Sequence, residues 1–210
     1  MIFQNREDAG RKLGKALQEY QKRKEVIVLG LARGGMVVAA VIAKMLGVPF
    51  DVIITQKIGA PTNPELAIGA ITENGKGYFN QRLIELLHVS KTYIDQTVAI
   101  KKKEAERRLT LYRKNRPIPS LKNTTVIIVD DGIATGATMM AALLAIRSEH
   151  PKKIIVAVPV ATPDSLDFLS PFADQIICLY SPDDFMSVGE FYESFPQIGD
   201  SEIIQLFQEG

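Results

Sequence analysis

Short apolar runs alternate with helical periodicities along most of the chain. VIVL at 26–29, VPFDVIIT at 48–55, the run at 125–129, IIVAVPVA at 154–161 and QIICLY at 175–180 each read as a strand. Residues 5–23 place Ala9, Leu13, Ala16, Leu17 and Tyr20 at helical spacing with a charged opposite face. MVVAAVIAKML after GLARGG, residues 80–88, 136–148 and 163–169 also read as helices. So does 91–114, with a stripe of Ile94, Val98, Ala105, Leu109 and Tyr112 and Ser90 as its cap. Continuous apolar strands, rather than alternating ones, belong to a sheet covered on both faces. The pattern therefore predicts an α/β fold, a central mostly parallel sheet flanked by helices. Residues 56–77 carry Gly and Pro throughout and predict a long loop with short ordered pieces. RPIPSLKN is a linker, and the tail, 181–210, is rich in aromatics and ends in a short helix.

Composition narrows the function classes. The 210 residues are 46% hydrophobic, enough for one well-buried domain. Lys and Arg total 25 against 24 acidic residues, so charge alone calls for neither nucleic acid nor an anionic membrane. Cys178 is alone, which excludes an intrachain disulfide and a cysteine metal cluster and suggests a buried small hydrophobe. The first residues are polar too early for a signal peptide, and no apolar stretch approaches the ~20 residues of a membrane span. The expectation is a soluble, cytoplasmic protein. Lys101–Lys103 reads as a solvated helix face, and His88 and His150 as surface or capping residues.

The chemistry concentrates where strands end, which is where an α/β sheet binds ligands. VIIVDDGIATGATM ends a buried strand on two adjacent carboxylates, Asp130 and Asp131. Side by side, each raises the other's pKa unless something binds them. Sugar hydroxyls can donate to them, and a hydrated divalent ion can neutralise them. The small residues that follow let backbone N–H groups point inward, and the helix start beyond them favours a phosphate. Thr135 and Thr138 add hydroxyls, and Gly132 and Gly136 add backbone freedom. The unit fits a ribose 5-phosphate. GLARGG puts Arg33 and two following glycines at another strand end, able to clamp a bulky anion. It has neither the dinucleotide fingerprint nor a Walker A spacing. Lys57 is a second cation on the same rim.

VIIVDDGIATGAT resembles the phosphoribosyl diphosphate-binding signature of type I phosphoribosyltransferases. FQNREDAGRKL, GLARGG, QKIGAPTNPELAIGAI and FMSVGEFYESFPQIGDSE extend the resemblance, over nearly the whole chain, to the subgroup whose substrate is unassigned. It implies a single domain over 1–210, with a helical insertion about 80–116 and the tail 181–210. The activity implied is Mg²⁺-dependent phosphoribosyl transfer to a nitrogen acceptor, a nucleobase being the expected one, with release of pyrophosphate. By resemblance, Asp130 and Asp131 hold the ribose hydroxyls, and Mg²⁺ indirectly. Ala134, Thr135, Gly136, Ala137 and Thr138 wrap the 5-phosphate. Leu31 to Gly35, with Ala32, Arg33, Gly34 and Gly35 at its centre, matches the pyrophosphate loop. That loop often holds a non-proline cis peptide, here Ala32–Arg33 or Arg33–Gly34. Lys57 would touch the pyrophosphate and act in catalysis with the two acids, and the loop 58–77 would be a mobile flap.

Two departures stand out. Enzymes of 6-oxopurines usually carry an acid where this chain has Ala134, which argues against a hypoxanthine or guanine acceptor. Gly132 replaces the usual aliphatic residue. The base-binding hood falls to the N-terminal helix, 80–116 or the tail. There Phe185, Phe191, Tyr192 and Phe195 either stack on a base or, the favoured reading, pin the tail to the core. Glu65 and Glu73 are the acids available for proton transfer. Homodimers are common among relatives. The competing function is a non-catalytic sensor of phosphoribosyl diphosphate, which would need a basic face for nucleic acid.

Overall fold

The computed structural model describes residues 1–114 and 116–209, apart from the side chains of Glu65, Gln208 and Glu209. In chain order the elements begin with α1 (Arg6–Ala16), β1 (Val26–Leu31), α2 (Gly34–Leu46) and β2 (Phe50–Ile53). Then come β3 (Thr55–Ala60), β4 (Asn63–Thr72), β5 (Gly77–Phe79), α3 (Gln81–Leu86) and α4 (Lys91–Arg113). The last are β6 (Thr125–Val129), α5 (Ala137–Arg147), β7 (Lys153–Val160), α6 (Pro163–Leu169), β8 (Gln175–Tyr180) and α7 (Asp200–Glu209).

The predicted apolar strands form one parallel sheet of five in the order β2-β1-β6-β7-β8. Every residue of β1 and β6 is buried, as their unbroken apolar runs require. On one face Leu13 of α1, Leu17 just beyond it, and Val38 and Ile42 of α2 pack on Val28, Ile127 and Ile155. On the other, Met139, Met140 and Leu143 of α5 pack on Leu29, Ile128 and Val156. From β1 the chain moves outward to β2, then returns to the opposite side of β1 with β6. The loops leaving β1 and β6 therefore part at a topological switch point, the crevice that binds ligands in open α/β sheets.

Residues 56–77 are not the long loop expected. β3 and β4 form an antiparallel hairpin, and β5 adds a third strand. Gln56, Ile58 and Ala60 face inward and Lys57 outward, the two-residue alternation of a strand. Gly75, at φ +80°, makes the turn between β4 and β5, whereas Gly59, Gly69 and Gly77 mark close approaches. A Cβ at Gly59, where the register shifts, would lie 2.3 Å from the Pro64 carbonyl oxygen. The small sheet leans on α3 and α4 through Ile58, Ile68, Leu83, Ile94 and Val98. α4 in turn packs on α7 through Ala105, Tyr112, Ile203 and Phe207.

Lys101 and Lys102 pair with Glu104 and Glu106 on the outer face of α4, as a solvated helix face does. Ser90 caps α4 as expected. His88 and His150 are left-handed residues just beyond helix ends. Cys178 is half-buried on β8, and burial pushes its thiol up.

Candidate functional site

The loops after β1 and β6 meet back to back at the switch point. A Cβ on Gly35 would come within 2.7 Å of the Val129 carbonyl oxygen and 2.9 Å of Asp130 Cα. A Cβ on Gly34 would lie 1.8 Å from Asp131 Oδ2. Glycine is required there because the second carboxylate occupies the space a side chain would take. The Ala32–Arg33 peptide between these features is cis, one of the two bonds anticipated.

The two acids differ. Asp130 Oδ1 accepts the Asp131 backbone N–H at 2.8 Å. Burial, and then the neighbouring Asp131 charge, push the Asp130 carboxyl well above the usual range. Asp131 is paired: Arg6 Nε donates to its Oδ2 at 2.7 Å, with both side chains largely buried. Arg6 also donates to the Pro196 carbonyl at 2.8 Å, and its guanidinium lies 3.8 Å from the Phe195 ring centre. Tyr192 Oη donates to the Asp131 carbonyl at 2.5 Å. Burial raises the Tyr192 phenol, so it stays a donor at any ordinary pH.

Helix starts distinguish this region from α1, α3, α4 and α6. Side chains of Asn5, Asn80, Ser90 and Thr162 cap α1, α3, α4 and α6. The N-caps of α2 and α5 are Arg33 and Gly136, and neither makes a side-chain cap. Met36 N–H donates to the Arg33 carbonyl at 3.1 Å; with no side-chain cap on either helix, these first turns can offer N–H groups to a ligand, and the helix dipole favours an anion. Gly136 has φ +75°, the left-handed conformation that turns the loop into α5. The rest of the loop is fixed by Ile133 bridging Ala161 and by Thr162 Oγ1 donating to the Ala134 carbonyl at 2.9 Å. Ala134 and Thr135 are exposed.

Lys57, Thr135 and Ala137 line one cleft of about 420 Å³, with Tyr78, Asn80 and Phe168. A second, of about 310 Å³, is lined by Arg6, Arg33, Gly34, Phe195, Pro196 and Ile198. Arg33 is one-third exposed, with Asp200 at 3.9 Å. The structure thus brings the acid pair, the loop at 32–35 and the loop at 134–138 to one edge, with Lys57 reaching over from the hairpin.

Glu73 does not join them. Its carboxylate accepts the Ile54 N–H at 3.2 Å and lines a separate cavity with Leu29, Val52 and Arg113. The side chain of Glu65, the other acid considered for proton transfer, lies outside the described residues.

Two features escape sequence reasoning, the partner of Arg6 and the reason for Gly132, while the tail aromatics follow the favoured expectation and pin the tail to the core. Arg6 looks like any surface arginine at a helix start, and its partner is 125 positions away. The aromatics of the tail pack on one another and on Phe3 and Val160 of the core. Phe191 packs on Phe185 and Tyr180, and Tyr192 on Phe3, while Phe195 alone reaches the Arg6–Arg33 cleft. Gly132, unexplained in the sequence, gains a reason: a Cβ there would lie 2.5 Å from Val188 Cγ1. The tail seats on it.

Residues 1–170 match the profile of the phosphoribosyl transferase domain. Two Mycobacterium tuberculosis proteins, provisionally named phosphoribosyl transferases, are 38% identical over 203 residues, 97% of this chain. The chain spans 46% of the length of those curated relatives. The crystal structure of TT1426 from Thermus thermophilus superposes with a TM-score of 0.84 at 37% identity, covering 100% of this chain and 99% of that one. A second solved protein, AQ2163 from Aquifex aeolicus, shares the fold at TM-score 0.51 and 14% identity, over 83% of this chain and 71% of its own.

Proposed function

The chain belongs to the phosphoribosyl transferase domain family, and we propose that it is an enzyme moving a phosphoribosyl group from phosphoribosyl diphosphate to a nitrogen acceptor, with release of pyrophosphate. The observation that carries this reading is the paired-acid edge set between two helix starts that lack side-chain caps. A diol needs acceptors, and a phosphate and a pyrophosphate need N–H donors; the edge offers both within one crevice.

Asp130 and Asp131 accept the ribose hydroxyls. Residues 134–138 and the first turn of α5 take the 5-phosphate. Ala32 to Gly35 and the first turn of α2 take the pyrophosphate, with Arg33 and Lys57 as its cations. At C1 the bond to pyrophosphate oxygen breaks, the bond to acceptor nitrogen forms, and the acceptor gives up a proton. Positive charge builds on the sugar as it does in glycoside chemistry. The two carboxylates beneath the ring stabilise it, and N–H dipoles aimed at the leaving group stabilise the opposite charge.

The donor set suits Mg²⁺, a hard cation that takes oxygen ligands and keeps much of its water. Burial and the Asp131 charge disfavour ionisation of Asp130, a penalty a hydrated cation would relieve. Asp130 and Asp131 would hold the ion indirectly, through water or the sugar hydroxyls, where it would neutralise charge on the departing pyrophosphate. The hairpin carrying Lys57 lines the phosphate cleft, and its role there is to shield the sugar cation from water. Ala134 offers no carboxylate to a purine N–H, so we assign an acceptor outside the 6-oxopurines.

Pyrophosphate release from phosphoribosyl diphosphate and Mg²⁺, measured across purines, pyrimidines and small amines, tests the proposal. We expect binding of phosphoribosyl diphosphate and turnover with one acceptor class. No binding would overturn the reading, and binding without turnover on any acceptor would favour a sensor.

A further inference from the structure

Asp131 is held from several sides, and most of what holds it comes from outside the strand it ends. Its carbonyl is fixed by Tyr192 at 2.5 Å and its carboxylate by Arg6 at 2.7 Å. Arg6 is 7% exposed and is held at two nitrogens and one face. Nε points to Asp131, one terminal nitrogen to the Pro196 carbonyl, and the flat face to Phe195. A planar fork with two partners and a stacked face has little rotational freedom, so it dictates where its carboxylate partner sits. The other side of that carboxylate is closed by Gly34.

Arg6 Nε holds the Oδ2 side of this carboxylate. The N-terminus reaches this point by pairing with the tail. Phe3 N–H donates to Phe191, and Glu193 and Ser194 donate back to Phe3 and Gln4.

We infer that Arg6 is a positioning residue for the sugar-binding acid Asp131, and that through Arg6 the segment 192–196 of the tail sets the geometry of the diol site. This rests on the function proposed above. A ligand-binding acid whose partner is removed keeps its chemistry but loses its aim. Outer partners of liganding side chains cost about 10–100-fold in affinity when removed, and the same scale applies here.

The test is a double-mutant cycle read in phosphoribosyl diphosphate binding with Mg²⁺, by titration calorimetry on the full chain. Arg6→Gln should weaken binding by about tenfold or more in the unmodified chain. In an Asp131→Asn background the same change should cost less than about threefold, since the residue it positions no longer carries the function. A merely structural role, anchoring α1, would cost the same in both backgrounds, and that result overturns the inference. Wild-type affinity in Arg6→Gln overturns it as well. If Arg6→Gln fails to fold by circular dichroism, Phe195→Ala decides. It leaves Arg6 in place but removes its platform, and its smaller loss should likewise vanish in Asp131→Asn; equal losses refute the role. Absence of binding by the unmodified chain would overturn the function and this role together. Binding with an additive cycle would overturn this role alone.

Discussion

Gly34→Ala measures how closely the two site loops are fitted. The added Cβ would lie 1.8 Å from Asp131 Oδ2, 2.6 Å from its Cγ and 3.0 Å from Arg6 Nε. Gly34 is not in the left-handed region, so alanine meets no φ penalty there. Replacing glycine even restricts the unfolded chain, a gain of about 0.4–1 kcal/mol. The opposing term is the Arg6–Asp131 pair, which is largely buried and must open to admit the methyl group. Removing one partner of a buried pair costs about 3–5 kcal/mol; here the displaced carboxylate can swing toward water, so about 3 kcal/mol is the ceiling. The net expectation is a loss of about 2 kcal/mol, or a Tm lower by about 4–8 °C for a chain of this size. Urea and thermal denaturation read both numbers. In an Asp131→Ala background the nearest remaining atom is Arg6 Nε, at 3.0 Å. There the same substitution should cost less than about 0.5 kcal/mol. Equal losses in the two backgrounds would refute the reasoning, because the backbone rather than the carboxylate would then be what excludes a side chain.

Other perturbations probe the surroundings. Tyr192→Phe removes the donor on the Asp131 carbonyl and should cost about 1–3 kcal/mol in urea denaturation, with the fold intact. Gly132→Ala sets a methyl group against Val188 and should cost about 1–3 kcal/mol and speed hydrogen exchange at 186–192. Val188→Ala should recover most of that loss; no recovery would mean the tail is not what Gly132 accommodates. Burial raises the Glu73 carboxyl above its ordinary value of 4.5. The folded chain then holds that proton more tightly than the unfolded one. Its stabilising contribution is full below the unfolded pKa and is lost as pH rises through the folded one. Glu73→Gln should therefore raise Tm at about pH 7, with the gain closing by about pH 4; a gain that grows toward acid would reverse the assignment.

What the sequence discloses depends on how far apart the interacting residues lie. β1, β6 and β7 are legible because burial on both faces forces unbroken apolar runs. The acid pair and the loop at 134–138 are legible because their chemistry is local, one strand end running into one helix start. The hairpin is not. Its inward positions include Gln56 and Ala60, and its glycines sit where backbones nearly touch, so the strand alternation is masked by residues that usually mark loops. Arg6 is illegible for a different reason. Nothing within α1 distinguishes it from Arg11, which pairs with Asp8 at the surface. Only the fold brings Asp131, Pro196 and Phe195 around it. The tail aromatics show the same limit: composition flags them, and topology decides that Phe191 and Tyr192 are buried while Phe195 faces a cleft.

The interlock of residues 3–6 with 191–196 bears on the order in which this molecule becomes competent. All five strands of the large sheet are in hand once the chain has reached Tyr180. Of the groups that fix the second acid, Arg6 is present from the start, but Tyr192 on the Asp131 carbonyl and Pro196 and Phe195 around Arg6 join only after that. During synthesis, which runs from the N-terminus, the sheet can assemble while Asp131 and Arg6 still lack the tail that holds them. The proposed site is thus completed by the closing of a latch between residues 3–6 and 191–196, and a folded sheet is no guarantee of a finished site.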